Sequence, residues 1–324
     1  MRRRTFLQMA ASAPFLLPAS RLAAQTAWPS GPIELVVPFP PGGPTDTAPR
    51  VALEHLQPLL DNATLVIINK PGAGGGVACE HVARSKPDGY TVLATSNPPL
   101  SVRTAIEKKA TYKIEDFTPL GRYAVDVGIL VARPQLGIKT IEELIERVKQ
   151  KPDELSYASA GPGTVTHVST ELLKHAAGIK IVHVPFRGSG PAAQAILGGH
   201  VPLMSSAYSA AKPLVERGDV VPLITTASRR LPDLPNVPTL AEKGFGGTEV
   251  NIWMGFFMPA ATPQPIVQKF TNAVAEASRK PALKAAIERT GMILDYGDPA
   301  RIRQLLQQEH ANVSKLAQVV DLGT

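Results

Sequence analysis

The segment Val36–Asp46, which reads "VVPFPPGGPTD", overlaps the end of the apolar run Ile33–Val37 and decides how the chain around it can fold. The five consecutive proline or glycine residues Pro40–Pro44 cannot continue a strand, because proline has no amide hydrogen and glycine packs no side chain. Thr45 and Asp46 are typical of the start of a helix. The sequence therefore predicts a strand, a rigid loop and a helix in immediate succession.

The same succession of strand, loop and helix start is predicted at three further places. These are Thr95–Asn97 after strand 90–94, Ser159–Thr164 before helix 165–177, and Pro185–Pro191 before helix 191–197. The first turn of a helix carries unpaired N–H groups and the positive end of the helix dipole, and glycine lets this backbone approach a ligand. Any one of these junctions could be an ordinary turn. Several of them, with serine and threonine hydroxyls, favour a cleft that binds a carboxylate.

Short β-type runs alternate with helical patterns along the chain. The predicted strands cover 33–37, 64–68, 90–94, 120–131, 155–158, 181–184, 201–204, 221–225 and 249–257. Helix starts are marked by a capping box at Thr140 and Glu143, and by Thr262 and Asp298, which each precede a proline. This alternation predicts an α/β fold with parallel or mixed sheets and helices on both faces.

The length of the chain favours two lobes, because roughly 300 residues are too many for one small core. No flexible linker marks a boundary, so the apolar segments 120–131 and 249–257 are the best candidates for connections between the lobes. We predict a discontinuous first lobe formed by 28–125 and 250–324, a second lobe formed by 126–249, and a ligand cleft between them.

The N-terminus has the pattern of an export signal. Residues 2–4 are arginines, an apolar stretch follows, and no acidic residue precedes Glu34. The twin-arginine export pattern fits these residues, and a Sec signal with a basic start is the alternative. We predict that residues 1–24 are a signal peptide, that the mature chain begins near Gln25, and that the protein is periplasmic. Beyond the signal, no apolar run approaches the roughly 18–20 residues of a membrane span.

Charge and cysteine content exclude several classes of protein. The chain has 34 basic and 27 acidic residues, a net charge of +7. Residues 1–24 contribute four arginines and no acid, so the rest has 30 basic and 27 acidic residues, a net charge of +3. This balance does not support a nucleic-acid partner and is compatible with a small anionic ligand. Cys79 is the only cysteine, so no intrachain disulfide is possible, and we predict that it is a small buried side chain.

No pattern in the sequence is typical of an enzyme, a metal site or a nucleotide site. Asn69–Ala78 is rich in glycine but lacks the spacing of a dinucleotide loop and the Gly-Lys-Ser/Thr of a P-loop. Ser159 and Ser189 do not lie in a Gly-x-Ser-x-Gly segment. The spacing of His167 and Glu171 is more typical of an exposed pair than of metal ligands. We therefore expect no cofactor, no bound metal and no catalytic residue.

The order of six sequence segments is a further pattern. They are VVPFPPGGPTD (36–46), NKPGAGGGVA with KPDGYTVL (69–78 and 86–93), SYASAGPGTVTH (156–167), VPFRGSGPAAQAILGGHV (184–201), LPDLPNVPTLAEKG (231–244) and WMGFFMPAATPQPIV (253–267). Together they resemble the tripartite tricarboxylate transporter receptor family, also called the Bug family of extracytoplasmic solute receptors. The resemblance covers essentially the whole chain after the signal.

This resemblance implies a two-lobed, Venus-flytrap binding protein of the periplasmic type II class. Receptors of this family bind small carboxylates, and main-chain N–H groups and bridging waters hold one ligand carboxylate. Closure of the lobes then traps the ligand. Delivery to a small and a large integral membrane permease subunit is the family expectation, although many members are orphan receptors. The resemblance also leads us to expect a monomer that binds no nucleic acid.

The residues expected to contact the ligand come from the four junctions and from the second lobe. The resemblance assigns this role to the loop after the first strand and to the loop Ser159–Thr164, with His167 one turn along. Arg187 could bind a distal carboxylate in a bidentate manner, or it could be a surface arginine at the rim. A structural role is the alternative for Asp46, because its carboxylate would repel an anion. The complete set is Phe39, Pro40, Gly42, Gly43, Thr45, Asp46, Thr95, Ser96, Asn97, Ser159, Gly161, Gly163, Thr164, His167, Arg187 and Ser206.

At one place the sequence departs from the family pattern. An acidic residue and a Phe-Asp-Asn segment usually follow the Gly-Gly-x-Val segment, and here these positions are Pro202 and Ser205–Ala207. If the missing acid normally holds an ammonium group, its absence argues against an amino-acid ligand. We predict a receptor for a di-, tri- or aromatic carboxylate. The alternatives are a sensor subunit for a signalling partner and an exported α/β enzyme that acts on a carboxylate.

Overall fold

The computed structural model of the protein describes residues 28–107, 110–246 and 251–317. The strands in these residues are β1 Ile33–Val37, β2 Leu65–Asn69, β3 Thr91–Ser96, β4 Phe117–Asp126, β5 Gly128–Ala132, β6 Ser156–Ser159, β7 Val182–Pro185, β8 Leu203–Ala207, β9 Val221–Thr225, β10 Ile252–Pro259 and β11 Ile293–Gly297. The α-helices are α1 Pro44–Leu56, α2 Gly76–Ala83, α3 Pro98–Ile106, α4 Ile141–Gln150, α5 Val165–Ala177, α6 Ser189–Leu197, α7 Tyr208–Glu216, α8 Gln264–Ser278, α9 Pro281–Arg289 and α10 Pro299–Leu316.

The strands form two separate mixed sheets. The first sheet has six strands in the order β11-β4-β10-β3-β1-β2, and the second has five in the order β7-β6-β8-β5-β9. In the first sheet β1 is parallel to β2 and β3, whereas β10 is antiparallel to β3 and β4. In the second sheet β6 is parallel to β7 and β8, whereas β5 is antiparallel to β8 and β9. The first sheet therefore combines strands from both ends of the chain.

Helices cover both faces of each sheet. Phe256 and Phe257 of β10 point to opposite faces, as successive strand residues must. Phe256 packs with Phe270 of α8 on one face, and Phe257 packs with Ile302 of α10 and with Cys79 of α2 on the other. The second sheet has α6 and α7 on one face and α4 and α5 on the other. The predicted α/β fold with mixed sheets and helices on both faces is confirmed, as is the burial of Cys79.

The chain passes from the first sheet to the second at Val127. The sequence predicted one strand over 120–131, and this was wrong, because β4 and β5 lie in different sheets. The Gly128 amide donates to Oγ1 of Thr226 at 2.7 Å, and a Cβ on Gly128 would lie 2.9 Å from Cγ2 of Thr226. A side chain that is distant in sequence therefore holds this crossing. The residue bounds of the two predicted lobes stay predictions.

Two of the three helix starts predicted from capping residues are confirmed. Thr140 and Asp298 each accept a hydrogen bond from the backbone amide three residues ahead, at 3.2 and 2.7 Å. The prediction for Thr262 was wrong, because α8 begins at Gln264 and Pro263 is its N-cap residue. Thr262 thus precedes the N-cap position from which a side chain can reach the first turn.

Two kinds of feature are absent from the described residues. None of their helices combines the length and the apolar character that crossing a bilayer requires. These residues also contain no group of three histidine, cysteine, aspartate or glutamate side chains that could hold a metal ion. The predicted signal peptide, residues 1–24, and the predicted mature start at Gln25 lie outside the described residues.

Asp126 is a buried carboxyl group at the end of β4, where the chain leaves the first sheet. Its Oδ1 accepts a hydrogen bond from the amide of Ser209 at 3.2 Å. Burial raises the pKa of Asp126 to about 7. The folded protein therefore keeps a proton that the unfolded chain releases near pH 4, and this contribution to stability is lost as the pH rises through about 7.

We expect Asp126→Asn to be more stable than the wild type at pH 8, by roughly 1–3 kcal/mol, because the amide keeps the acceptor for Ser209 without a buried charge. The gain in stability of Asp126→Asn over the wild type should be smaller at pH 5. Urea unfolding at both pH values measures it, with Asp88→Asn, at an exposed position, as the control. A difference in stability between Asp126→Asn and the wild type that does not change with pH would contradict the raised pKa of Asp126.

Candidate ligand-binding site

A cavity that is partly open to solvent lies between the two sheets, where strands lead into helices. Its walls come from the β1–α1 loop, the β3–α3 junction, the loops after β6 and β7, and the first residue of β10. The lining residues, all with neutral side chains, are Phe39, Pro40, Gly43, Pro44, Thr45, Ser96, Pro98, Ala160, Thr164, Val165, Thr166, Gly188, Ser189, Gly190, Pro191 and Ile252.

Four helices begin at this cavity, α1 and α3 from the first sheet and α5 and α6 from the second. Helix α3 starts with Pro98 and Pro99, which have no N–H group, so the N–H groups come from α1, α5 and α6. Each first turn presents N–H groups that have no partner within the helix, together with the positive end of the helix dipole. A Cβ on Gly188 would lie 3.4 Å from Cδ of Pro40, and a Cβ on Gly190 would lie 3.7 Å from the carbonyl oxygen of Pro41. Helix α6 thus begins close to the β1–α1 loop, and Gly188 supplies the backbone φ of +122° that this approach uses. The cavity attracts an anion from two sides without a charged side chain.

The β1–α1 loop is held by the carboxylate of Asp46. Its Oδ2 accepts from the Gly42 amide at 3.0 Å and from Nε of Arg50 at 2.9 Å. Its Oδ1 accepts from Nη2 of Arg50 at 2.8 Å and from Nδ2 of Asn69 at 2.9 Å. Burial alone would raise the pKa of Asp46, but hydrogen bonds from Arg50, Asn69 and Gly42 bring it below its ordinary value. Gly42, with a φ of +93°, therefore gives its amide to the protein's own carboxylate.

Two hydroxyl groups form the part of the wall between α1 and β3. Oγ1 of Thr45 donates to Oγ of Ser96 at 3.2 Å, and both side chains are buried and line the cavity. Because Ser96 accepts this bond, its own hydrogen is available to a ligand oxygen. Thr45 and Ser96 therefore place one hydroxyl donor beside the start of α1.

The loop before α5 is held by hydroxyl groups as well. Oγ1 of Thr164 donates to the carbonyl oxygen of Gly161 at 2.7 Å and accepts from the His167 amide at 3.4 Å, so that it caps α5. Oγ1 of Thr166 accepts from the Ala160 amide at 3.1 Å. The side chains of this loop thus satisfy one another, and the first turn of α5 faces the cavity.

A serine–histidine pair that the sequence motifs did not indicate lies behind this loop. Oγ of Ser159 is 2.6 Å from Nε2 of His183. Ser159 is fully buried and its Oγ accepts from the Gly161 amide at 3.1 Å. A substrate carbonyl in the cavity has no access to this hydroxyl, so the pair lacks the exposed nucleophile that acyl transfer requires.

The structure brings six of the sixteen predicted ligand residues to the cavity wall, namely Phe39, Pro40, Gly43, Thr45, Ser96 and Thr164. The other ten are not part of the wall and are Gly42, Asp46, Thr95, Asn97, Ser159, Gly161, Gly163, His167, Arg187 and Ser206. Several of these form hydrogen bonds within the two loops whose other residues line the cavity, such as Asp46 with Gly42 and Ser159 with Gly161.

Asn97 and Arg187 show how differently the residues outside the wall are placed. Oδ1 of Asn97 accepts from the Trp253 amide at 3.1 Å, and its Nδ2 donates to Glu309 at 3.0 Å. Asn97 therefore joins β10 and α10. Arg187 is exposed, and Ser206 is fully buried within β8. Neither of these two side chains contributes to the cavity wall.

Ten lining residues were not among the predicted ligand residues. They are Pro44, Pro98, Ala160, Val165, Thr166, Gly188, Ser189, Gly190, Pro191 and Ile252. The signal for the α6 start was present, because the junction Pro185–Pro191 had the same pattern as the others. Nothing local distinguishes Ile252, which reaches the cavity because β10 lies beside β3 in the first sheet.

The protein is similar to known proteins in both sequence and structure. Residues 49–322 match the family described as the tripartite tricarboxylate transporter family receptor. The periplasmic binding protein BugD is 31% identical, with 90% of this chain and 98% of that chain covered and a TM-score of 0.84. MatC from Rhodopseudomonas palustris, solved with bound malate, is 32% identical, with 89% and 99% covered and a TM-score of 0.82. R. palustris Rpa4515, solved with adipate, is 31% identical, with 90% and 97% covered and a TM-score of 0.86.

The fold and the cavity between two sheets define a two-lobed solute-binding protein of the Venus-flytrap type. Within this class, the chain belongs to the tripartite tricarboxylate transporter receptor family, also called the Bug family. The family prediction from the six ordered segments is therefore confirmed.

We expect Asp46→Ala to lower the free energy of unfolding by roughly 2 kcal/mol at pH 7, because the Gly42 amide and Asn69 lose their acceptor while Arg50 can turn to solvent. The difference from the wild type should shrink below about pH 4, since a carboxylate with a lowered pKa loses its contribution as the pH falls. Chemical unfolding at both pH values measures this. Glu54→Ala, at an exposed position of α1, should change stability by less than about 0.5 kcal/mol. Equal losses for the two variants would contradict the role of Asp46.

Proposed function

We propose that the protein is a periplasmic receptor that captures a small organic carboxylate and delivers it to the membrane subunits of a tripartite tricarboxylate-type transporter. The observation that carries this proposal is the convergence of α1, α5 and α6 on one cavity with a neutral lining. Helix starts bind anions through backbone N–H groups and the helix dipole. The family membership supports delivery to a transporter.

The cavity is best suited to a dicarboxylate. The start of α1 is on one side and the starts of α5 and α6 are on the other, so each side can bind one carboxylate. The side chains of Phe39, Pro98 and Ile252 offer an apolar wall to the carbon chain that joins them. Both malate, present in MatC, and adipate, present in Rpa4515, are dicarboxylates.

A free amino acid fits this cavity less well than an acid without an ammonium group. None of the lining residues has a carboxylate that could pair with an ammonium group. The positive ends of three helices would also repel it. Ser205 donates its hydroxyl to the Thr166 carbonyl oxygen at 2.8 Å, so the segment that lacks the usual acid supports α5 here.

Residues 1–24 fit this proposal as an export signal, because a receptor of this kind works outside the cytoplasm. BugD is a periplasmic binding protein that is similar over 90% of this chain. We propose the same compartment for this protein, with the signal removed on export.

Isothermal titration of the purified protein with malate, adipate, citrate, benzoate and aspartate tests the proposed ligand class. We expect a dicarboxylate to bind with a micromolar dissociation constant, and malate to bind at least about tenfold more tightly than aspartate, because aspartate buries an unpaired ammonium group in place of a hydroxyl. Recovery of the acid unchanged distinguishes a receptor from an enzyme. Tighter binding of aspartate than of malate would reject the ligand class, and failure of every acid to bind would reject the function.

Ser96→Ala should weaken dicarboxylate binding about five- to tenfold, because it removes the hydroxyl donor beside the start of α1. The control is Ser85→Ala, which removes a hydroxyl that bonds to the Val82 carbonyl oxygen and does not line the cavity. Titration of both variants with the acid that binds the wild type measures the effect. Unchanged affinity in Ser96→Ala would mean that this hydroxyl does not contact the ligand.

A further inference from the structure

A stack of three rings lies behind the wall that the loop 160–164 forms. Tyr157 of β6 stacks on His183 of β7 with ring centroids 4.9 Å apart, and His183 stacks on His167 of α5 at 4.2 Å. His167 is 97% buried, since its relative exposure is 3%. Neither histidine lines the cavity, so the proposed function by itself assigns them no role.

Two backbone amides of the loop depend on these histidines. The Gly163 amide donates to Nδ1 of His167 at 3.3 Å. The Gly161 amide donates to Oγ of Ser159, which lies 2.6 Å from Nε2 of His183. Ser159 is fully buried, so its hydroxyl hydrogen needs an acceptor, and of the two groups bonded to Oγ only His183 can accept it. Both imidazoles therefore act as hydrogen-bond acceptors toward the loop.

This arrangement requires neutral histidines. A ring nitrogen that accepts a hydrogen bond carries no hydrogen, and the second hydrogen of an imidazolium would occupy that position. Protonation of His167 would therefore direct an N–H group at the N–H group of Gly163. Two imidazolium rings stacked at 4.2 Å would also repel each other. A positive charge on either ring would therefore weaken the hydrogen bonds that hold the loop 160–164.

The charged groups around the stack compensate such a charge only in part. Glu171 of α5 accepts from the Tyr157 hydroxyl at 2.6 Å and from Nζ of Lys174 at 2.8 Å. Its charge is thus already paired with a cation. Burial, followed by the proximity of His167, lowers the pKa of His183 to about 4, and the nearby Lys174 acts in the same direction. The charge of Glu171 raises this pKa but does not offset the other effects. Tyr157, Glu171 and Lys174 are the titratable neighbours that α5 and β6 present to the two rings.

The loop that these histidines hold orients the first turn of α5. The Thr164 amide and hydroxyl both donate to the carbonyl oxygen of Gly161, at 3.3 and 2.7 Å. Thr164, Val165 and Thr166 line the cavity directly after this turn. A displacement of Gly161 or Gly163 would therefore turn the first amides of α5 away from a bound carboxylate.

We infer that His167 and His183 are positioning residues of the ligand site, which hold the loop 160–164 in its binding geometry only while both rings are neutral, so that acidification weakens ligand binding. The effect on affinity rests on the proposed function, whereas the effect on the loop does not. The pKa of His183 in this geometry lies below its ordinary value of 6.5. Relative to a released loop, in which the ring keeps its ordinary pKa, the held geometry is fully favoured above about pH 6.5 and loses this advantage as the pH decreases toward 4. Affinity falls over the same range as the released loop becomes populated.

Titration with malate at pH 7.5 and pH 5.5 tests the inference in the wild type, His167→Asn, His167→Leu and His175→Asn. Asparagine offers an acceptor near the position of Nδ1 that does not titrate, whereas leucine offers none. His175 is the matched control, because it lies on the same helix and is exposed. The titration of malate itself is common to all four proteins and cancels in the comparison.

We expect the wild type and His175→Asn to lose affinity about tenfold more than His167→Asn on acidification, since one linked proton changes affinity up to tenfold for each pH unit. His167→Leu should bind weakly at both pH values. Wild-type pH dependence in His167→Asn, or wild-type affinity in His167→Leu, would overturn the inference. If His167→Leu does not fold, the comparison with His167→Asn decides.

A second measurement needs no ligand. The amide resonances of Gly161 and Gly163 in ¹H–¹⁵N NMR spectra should shift with pH in the wild type and in His175→Asn, and the shift of Gly163 should be lost in His167→Asn. Resonances that do not move while the ring signals of His167 and His183 titrate would overturn the inference. If no carboxylate binds at any pH, the proposed function is rejected, and these resonances alone decide whether the histidines hold the loop.

Discussion

The N–H groups in the first turns of α1, α5 and α6 have no partners within their helices, so a side-chain cap, water or a ligand must satisfy them. Thr164 caps one of them in α5, and the uncapped ones are available to a ligand. Because α1 packs on the first sheet and α5 and α6 pack on the second, the three positive helix ends meet only where the two sheets face each other. The start of α6 at Gly188 and Gly190 approaches Pro40 and Pro41 of the β1–α1 loop. The cleft between the sheets therefore creates the site, and neither sheet contains it alone.

Charged side chains near the site are paired with one another and not directed at the cavity. Asp46 pairs with Arg50, and Glu171 pairs with Lys174. The attraction for an anion therefore comes from backbone dipoles, which cannot be neutralised by protonation. In the proposed function, these dipoles bind the carboxylate group that the candidate ligands share. Discrimination between acids then depends on the side chains that line the remaining wall, such as Phe39 and Ile252.

A polar network joins the two connections between the sheets. Oγ1 of Thr226 accepts from the Gly128 amide and donates to Oδ1 of Asn251 at 3.1 Å. The carbonyl oxygen of Asn251 accepts from Asn97 at 3.3 Å, and Asn97 in turn donates to Glu309 of α10. This network explains why the division of the apolar run 120–131 into two strands could not be predicted from its own pattern. Its division between two sheets is set by residues that are more than 90 positions away.

The sequence by itself determined the α/β class, the family, the strand–loop–helix junctions and helix α5, because turn chemistry, capping and periodicity act between residues close in the chain. It also indicated part of the cavity wall, including Thr45 and Thr164. Only the tertiary structure decided that the carboxylate of Asp46 binds its own loop and that Ile252 reaches the cavity. Only the tertiary structure brought His183 against Ser159. Burial and hydrogen-bond partners of this kind depend on how distant segments pack, and local patterns carry no information about that packing.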